Sequence, residues 1–329
     1  MSEVFHGGGL DAAIARYGGR PEEWLDLSTG INPNPYPVPE ISPETWARLP
    51  DKHAEQALLG AARQYYRVPD GFEIVAAPGT QALIQLLPRL LKAKEIAVVS
   101  PTYGEHRHVW KLSGSNVTEI AEPDEIKAFT GAAVVVNPNN PDCRVHSVRS
   151  LVTFAGKLDF LVVDEAFCDT MPENSLVPTM PENAVVLKSF GKFFGLAGLR
   201  LGFAICKKEW AERFKSMMGP WAVSGQAIEL GSTAFTDVQW IQNTRQSLLE
   251  KSRALATILQ NAGLKIEGQN PLFVYARHDN AMQIHGDLAK RRILVRSFSE
   301  RRDHLRFGLC KDHDEFSRLE AALKACVNA

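Results

Sequence analysis

The stretch that decides the fold of this chain is Leu187-Lys188-Ser189-Phe190-Gly191-Lys192-Phe193-Phe194-Gly195-Leu196-Ala197-Gly198-Leu199-Arg200-Leu201-Gly202. A predicted strand ends here in a glycine-rich loop that presents Ser189, Lys192 and Arg200. Serine and arginine both bind phosphate, and arginine does so through a planar fork of donors. A lysine that attacks a carbonyl must first lose its proton, so it belongs among groups that disfavour an ammonium. The stretch predicts a reactive lysine beside a phosphate site, although a surface loop with incidental cations would have the same composition.

Strands and helices alternate on both sides of this stretch. Runs rich in Val and Ile, apolar on successive residues, are typical of strands buried on both faces. Helical periodicity is clearest in Ala54–Tyr65 and Gln81–Leu91. This alternation predicts an α/β fold with a mostly parallel mixed sheet between helices. The predicted strands are Glu73–Ala76, Glu95–Val99, Ala132–Val136, Phe160–Val163, Val185–Leu187 and Gly202–Cys206.

The pattern changes after Trp221. Long helical stretches cover roughly residues 224–235 and 238–262, and short strands follow near 272–276, 293–295 and 305–308. We therefore predict a large α/β domain formed by residues 46–220. Residues 1–45 and 221–329 are predicted to form a small α+β domain.

An acidic residue ends one of the predicted strands, in Phe160-Leu161-Val162-Val163-Asp164-Glu165-Ala166. A buried carboxylate needs a cationic partner or hydrogen bonds. A protonated pyridine nitrogen opposite Asp164 would be such a partner, and its ring could then accept electrons. Ala166 is small enough to lie under a flat ring.

Three turns follow other predicted strands. The backbone N–H groups of Gly79–Gln81 and the Thr80 hydroxyl stand at a helix start, where they would cradle a phosphate. Tyr103 follows Glu95–Ser100 and could stack on a ring. Asn140 lies in Asn137-Pro138-Asn139-Asn140-Pro141 and could donate to a ring oxygen, although Asn and Pro also dominate plain turns.

From Gly79 to Arg200, the order and spacing of these motifs resemble the fold-type I pyridoxal-phosphate enzymes of the aminotransferase class I/II group. The resemblance implies pyridoxal 5'-phosphate as cofactor, held by Lys192 as a Schiff base. Lys188 is the rival lysine, but it fits neither the Ser-x-x-Lys pattern nor the eight-residue spacing to Arg200. The implied catalytic residues are Lys192, Asp164 and Tyr103. The implied cofactor-binding residues are Gly79, Thr80, Gln81, Tyr103, Asn140, Asp164, Ala166, Ser189, Lys192 and Arg200.

Segments nearer the ends of the chain narrow the resemblance. His6-Gly7-Gly8-Gly9 and Ser28-Thr29-Gly30-Ile31-Asn32-Pro33 resemble the threonine-phosphate decarboxylases of cobalamin biosynthesis. That resemblance implies conversion of an amino-acid phosphate, L-threonine O-3-phosphate, to (R)-1-aminopropan-2-yl phosphate and CO₂. It also implies that Arg306 binds the substrate carboxylate, and that Arg296, His6 and Asn32 bind its phosphate. The alternative for His6 is a solvated side chain near the terminus.

Three substitutions bear on the reaction. Phe167 stands where aminotransferases usually place a tyrosine, and Leu49 where relatives often place another; both favour the decarboxylase. Gly30 replaces an Asn that is often seen in the decarboxylases, and this difference argues against the decarboxylase. The alternative function is an aminotransferase acting on histidinol phosphate. A non-catalytic relative is a third hypothesis, against which the intact Lys192 and Asp164 argue.

Composition excludes several other classes. The formal net charge is −1 and no block of like charge occurs, so neither nucleic acid nor an anionic membrane surface is an expected partner. No apolar run reaches the roughly 20 residues that span a bilayer. The five cysteines are scattered, which favours a cytoplasmic location. His106 and His108 have no third ligand near them in sequence, so no metal site is expected. The family resemblance implies a homodimer.

Overall fold

The computed structural model describes residues 7–126 and 131–327, which form two compact units. Within them, the larger unit spans 35–140 and 144–241, and the smaller spans 7–34, 141–143 and 242–327. The boundaries predicted at residues 45 and 221 differ from these. The segment 225–236, assigned in sequence to the small domain, packs in the larger unit, where the Gln226 side chain donates to the Thr45 carbonyl at 3.1 Å.

Twelve strands, numbered along the chain, occur in the described residues. They are β1 (Leu25–Leu27), β2 (Phe72–Ala77), β3 (Glu95–Val99), β4 (Asn116–Ile120), β5 (Ala132–Val136), β6 (Phe160–Asp164), β7 (Ala184–Ser189), β8 (Gly202–Lys207), β9 (Lys265–Asn270), β10 (Phe273–Arg277), β11 (Ile293–Ser297) and β12 (His304–Gly308).

The α-helices surround and connect these strands. They are α1 (Leu10–Tyr17), α2 (Pro43–Ala47), α3 (Lys52–Tyr66), α4 (Thr80–Leu91), α5 (Gly104–Leu112), α6 (Val148–Ala155), α7 (Phe190–Phe193), α8 (Lys208–Met218), α9 (Gly225–Thr236), α10 (Val238–Asn261), α11 (Ala281–Lys290) and α12 (His313–Val327). No helix in the described part of the chain is long and apolar enough to cross a membrane.

The larger unit is built on a seven-stranded sheet with the order β2-β8-β7-β6-β5-β3-β4. Strands β3 to β7 pair in parallel, and β8 is antiparallel to both of its neighbours. Every residue of β5 is buried, as the predicted burial on both faces requires. The carboxyl ends of β2, β3, β5, β6 and β7 therefore share one edge of the sheet, which is where ligands bind in folds of this kind.

The smaller unit contains a five-stranded sheet with the order β1-β11-β12-β10-β9. β1 runs parallel to β11, and the remaining neighbours are antiparallel. Ala13 of α1 and Ala289 of α11 pack with Trp24 and Leu294 in a small apolar cluster. The register places Arg296 of β11 directly opposite Arg306 of β12, so the two side chains leave the same face of the sheet.

Candidate active site

The amino terminus of α4 forms an anion cradle. Its N-cap is Gly79, at φ +84°, so no side chain covers the backbone N–H groups of the first turn. A Cβ on Gly79 would lie 2.6 Å from an Arg200 guanidinium nitrogen, and one on Gly202 would lie 2.5 Å from the Thr80 nitrogen. These contacts bring Arg200 and the start of β8 against the helix end. The guanidinium and the helix dipole both favour an anion there.

Ser189 and Lys192 lie at the end of the neighbouring strand. Ser189 is the buried last residue of β7 and the N-cap of α7, and the half-buried Lys192 lies on that short helix. The Lys192 amine lies 5.8 Å from the centroid of the Phe167 ring. Phe167, which stands where aminotransferases usually have a tyrosine, therefore places an aromatic ring without a hydroxyl beside this lysine.

Asp164 is held by two contacts at the end of β6. It is only 3% exposed, and its Oδ1 accepts a hydrogen bond from the Ala166 backbone N–H at 3.0 Å. Its Oδ2 lies 2.8 Å from Nε2 of the fully buried His106. An ionised carboxylate can only accept, so opposite that form of Asp164 the donor is Nε2 of His106. The two contacts together orient the carboxylate.

His106 was missed as a site residue in the sequence. Sequence reasoning considered it only together with His108, as a metal-binding pair, and rejected that interpretation because no third ligand stands near them in sequence. The spacing that could have indicated a site role is the one to Tyr103, three residues earlier. Residues three apart share a helix face, so this spacing places His106 near a predicted site residue. The two rings meet edge-on with centroids 6.0 Å apart.

The side chain of Gln81 holds Tyr103 in place. The Tyr103 hydroxyl donates to Gln81 Oε1 at 3.2 Å, and Gln81 Nε2 donates to Glu105 at 2.6 Å. Gln81 was predicted to contribute to the phosphate cradle, which its backbone at the start of α4 is placed to do. Its side chain has the separate task of fixing the aromatic residue. Asn140, half-buried, follows β5 at the same sheet edge.

Lys188, the rival lysine, lies in a buried ionic cluster. Its amine is 2.6 Å from Glu165 Oε2 and 3.7 Å from Asp169 Oδ1, and all three side chains are at most 2% exposed. Burial alone lowers the pKa of Lys188, but Glu165, Cys168 and Asp169 outweigh it and hold the pKa well above its usual range. This cluster favours the ammonium form of Lys188, which is not nucleophilic.

Removing the charge of Glu165 should destabilise the larger unit strongly. Glu165→Gln leaves a buried ammonium with a weaker partner, and breaking such a pair costs about 3–5 kcal/mol of unfolding free energy. Thermal or urea unfolding measures this loss. The matched control is Glu182→Gln, which removes the partner of Lys207 in an exposed ion pair of similar length, 2.7 Å. Its unfolding midpoint should barely change, and equal losses in the two variants would contradict the burial argument.

The predicted substrate residues that the structure describes lie in the smaller unit. Arg306 is 6% exposed and donates to the Ser28 carbonyl at 2.7 Å, and Asn32 is 2% exposed. Burial, with a further contribution from Arg296, lowers the pKa of Arg306 to about 10. It still carries its charge at neutral pH. Two guanidinium groups at paired positions make this face favourable for anions. His6 lies outside the described residues.

A comparison with protein-family models decides the family. The model for aminotransferase class I and II matches residues 23–323. The chain belongs to this family.

Two similar family members are threonine-phosphate decarboxylases. The chain is 41% identical to a threonine-phosphate decarboxylase of Sinorhizobium sp, with 97% of each chain covered. It is 38% identical to the threonine-phosphate decarboxylase of Pseudomonas aeruginosa, covering 97% of this chain and 96% of the relative. Among solved structures, histidinol-phosphate aminotransferase of Sinorhizobium meliloti, in complex with pyridoxal 5'-phosphate, superposes with a TM-score of 0.80 at 19% identity, covering 99% and 96% of the two chains. That likeness confirms the predicted fold.

Proposed function

We propose that this chain is a pyridoxal-phosphate enzyme that decarboxylates L-threonine O-3-phosphate to (R)-1-aminopropan-2-yl phosphate and CO₂ in cobalamin biosynthesis. The observation that carries the proposal is the likeness, over nearly the whole length, to two threonine-phosphate decarboxylases. The paired Arg296 and Arg306 agree with a substrate that has two anionic ends.

The residues of the larger unit fit the cofactor. The α4 amino terminus, Thr80, Ser189 and Arg200 would hold its phosphate. Tyr103 and Ala166 would flank the ring, Asn140 would donate to its oxygen, and Lys192 would bind it covalently. When bound, pyridoxal phosphate supplies a ring that accepts the electron pair released at the substrate α-carbon. Asp164 would maintain the proton on the ring nitrogen, since its own position is fixed by His106.

The arginines of the smaller unit would orient the substrate. Arg306 would bind the carboxylate through its planar fork, and Arg296, with His6 and Asn32, would bind the phosphate. Holding both ends fixes the rotation of the α-carbon, so the bond to the carboxylate is the one that breaks. Lys192 would then return a proton to that carbon.

An aminotransferase of the histidinol-phosphate type is the second candidate. It requires a proton to move from the substrate α-carbon to the cofactor carbon. A tyrosine hydroxyl that hydrogen-bonds to the cofactor oxygen tunes this proton balance. Where aminotransferases usually have that tyrosine the chain has Phe167, whose ring lies beside the Lys192 amine. This observation favours decarboxylation.

Steady-state turnover on the two substrates tests the proposal. The cofactor-loaded protein is assayed with L-threonine O-3-phosphate alone, and separately with histidinol phosphate plus 2-oxoglutarate. We expect kcat/KM to favour the first by several orders of magnitude. Unphosphorylated L-threonine is the matched control for the phosphate site and should be a poor substrate. Turnover confined to histidinol phosphate would overturn the proposal in favour of the aminotransferase.

Arg306→Lys should raise KM for L-threonine O-3-phosphate by about 10- to 100-fold. Lysine keeps the charge but loses the paired donors, which is worth about 1.4–2.8 kcal/mol in binding. The matched control is Arg277→Lys on β10, whose guanidinium is exposed and pairs with Asp303 at 2.8 Å. Its kinetics should equal those of the native protein. An unchanged KM in Arg306→Lys would remove Arg306 from the carboxylate site.

We also propose that the protein forms a homodimer in the cytoplasm. Trp46, Leu49 and Trp221, all in the larger unit, are 68%, 66% and 60% exposed. Large apolar side chains left in solvent mark interaction surfaces when they share a patch. The five cysteines are all free and buried, which suits a reducing compartment. Sedimentation analysis of the native protein and of Trp46→Glu tests the dimer: the native protein should sediment as a dimer and the variant as a monomer.

A further inference from the structure

Asn139 connects the segments that carry Tyr103 and Asn140, two of the residues proposed to contact the cofactor, and is not itself proposed to contact it. It is 2% exposed and immediately precedes Asn140 in the turn after β5. Its Oδ1 accepts from the Thr102 hydroxyl at 2.7 Å and its Nδ2 donates to the Pro101 carbonyl at 2.8 Å. Both partners belong to the segment directly before Tyr103, at the end of β3.

Arg144 adds further hydrogen bonds at this junction between the turn after β3 and the turn after β5. The Asn139 backbone N–H donates to the Arg144 carbonyl at 2.8 Å, and the Arg144 guanidinium donates to the Ser100 carbonyl at 3.3 Å. The guanidinium also donates to Glu122 Oε1 at 2.9 Å, beyond the end of β4. The turns after β3 and β5 are thus joined at several points, and the buried side chain of Asn139 contributes two of these hydrogen bonds, both to the turn after β3.

We propose that Asn139 is a positioning residue that fixes the turn carrying Tyr103 against the turn carrying Asn140. This rests on the proposed function, because it assigns Tyr103 to the cofactor ring face and Asn140 to its oxygen. Neighbouring parallel strands fix the ends of β3 and β5, but the loops that leave them have no ladder to hold them. The two Asn139 side-chain hydrogen bonds, together with the Arg144 contacts, supply a constraint there, so the aromatic face and the amide donor meet the cofactor in one fixed arrangement.

The same turn provides a matched control. Asn137 is also an asparagine and is fully buried, and its side chain also makes hydrogen bonds. These go to the backbone of His146, at 2.8 and 3.2 Å, and to the Asn174 carbonyl at 3.4 Å. Its side chain thus bonds away from the Tyr103 segment. A purely structural role predicts equal consequences for the two asparagines, whereas the positioning role predicts different ones.

The test uses Asn139→Ala, Asn137→Ala, Thr102→Val and Thr102→Ser in the full-length protein. Three quantities are measured for each: the thermal midpoint of the cofactor-free protein, its pyridoxal-phosphate affinity by fluorescence titration, and the pH midpoint of the visible band of the loaded protein. Asn139→Ala loses both part-buried side-chain hydrogen bonds and Thr102→Val loses the one between these two residues, so each should weaken cofactor affinity about tenfold and move the pH midpoint by about half a unit. Thr102→Ser keeps the donor and should restore both.

Asn137→Ala should lower the thermal midpoint at least as much as Asn139→Ala while leaving affinity and pH midpoint near the native values. Equal changes in cofactor affinity for Asn137→Ala and Asn139→Ala would overturn the proposal. So would a native affinity in Asn139→Ala, or a Thr102→Val variant that behaves as native. A native protein that binds no pyridoxal phosphate would overturn the proposed function itself, and this inference with it.

Discussion

Lys192→Ala should lower CO₂ release from L-threonine O-3-phosphate by roughly 10⁴-fold or more. The amine both binds the cofactor covalently and returns the proton to the α-carbon, and proton transfer alone contributes about 10²–10⁴-fold. The variant should still fold, because Lys192 is half-buried on a short helix at the sheet edge. Its rate is measured against that of the native protein at saturating cofactor, with circular dichroism as the check on folding.

Lys188 provides the control for this assignment. Borohydride reduction of the loaded protein should fix the cofactor to the peptide containing Lys192 and leave Lys188 unlabelled, since Glu165 at 2.6 Å keeps Lys188 protonated. The measurement needs no substitution, so it is independent of folding. Cofactor on Lys188, or full activity in Lys192→Ala, would refute the assignment.

Asp164→Ala should lower kcat by about 10³-fold. A carboxylate about 4 Å from a positive ring nitrogen is worth about 4 kcal/mol at the effective dielectric of a protein, which corresponds to about three orders of magnitude in rate. The visible spectrum of the bound cofactor should change as well, because its ring loses the partner of the nitrogen proton. Steady-state kinetics and absorption spectra together measure the effect.

Glu165→Gln separates this electrostatic role from damage to the strand end. Glu165 follows Asp164 directly, but its side chain bonds to Lys188 and to the Leu176 backbone N–H, at 2.6 Å each, and not to His106. Below its lowered unfolding temperature, Glu165→Gln should keep kcat near the native value. If both variants lost the same fraction of kcat, the carboxylate of Asp164 would have no special role in the chemistry.

The sequence predicted the buried strands of the fold well and its edge strands poorly. The bounds of β3 and β5 agree with their predicted bounds, because continuous Val and Ala runs have few alternatives to a strand buried on both faces. The strands that were missed, β1, β4 and β9, lie at sheet edges. β4 has the sequence Asn-Val-Thr-Glu-Ile and β9 the sequence Lys-Ile-Glu-Gly-Gln-Asn. Many of their positions are polar and partly exposed, so neither strand has the continuous apolar run by which the buried strands were predicted.

The site was predictable where motifs stand at strand ends. Parallel pairing of β6 with β7 brings Asp164 and Ser189 to one edge of the sheet, and β8, antiparallel to both β7 and β2, brings Gly79 to the same edge. Hydrogen bonds between distant segments were not predictable, because sequence spacing carries no sign of them. His106 with Asp164 is separated by 58 residues, and Asn139 with Thr102 by 37. These contacts orient the groups that the motifs supply.

The most direct test of the account is a carbon-13 NMR experiment in D₂O with carboxyl-labelled L-threonine O-3-phosphate. The cofactor-loaded protein is the catalyst, and no 2-oxoacid is added. We expect multiple turnovers, with label appearing in CO₂ and bicarbonate and a single deuteron at the former α-carbon of the aminopropanol phosphate. Label that remains in the carboxylate, with at most one equivalent of oxo product per protein, would contradict decarboxylation and support the aminotransferase.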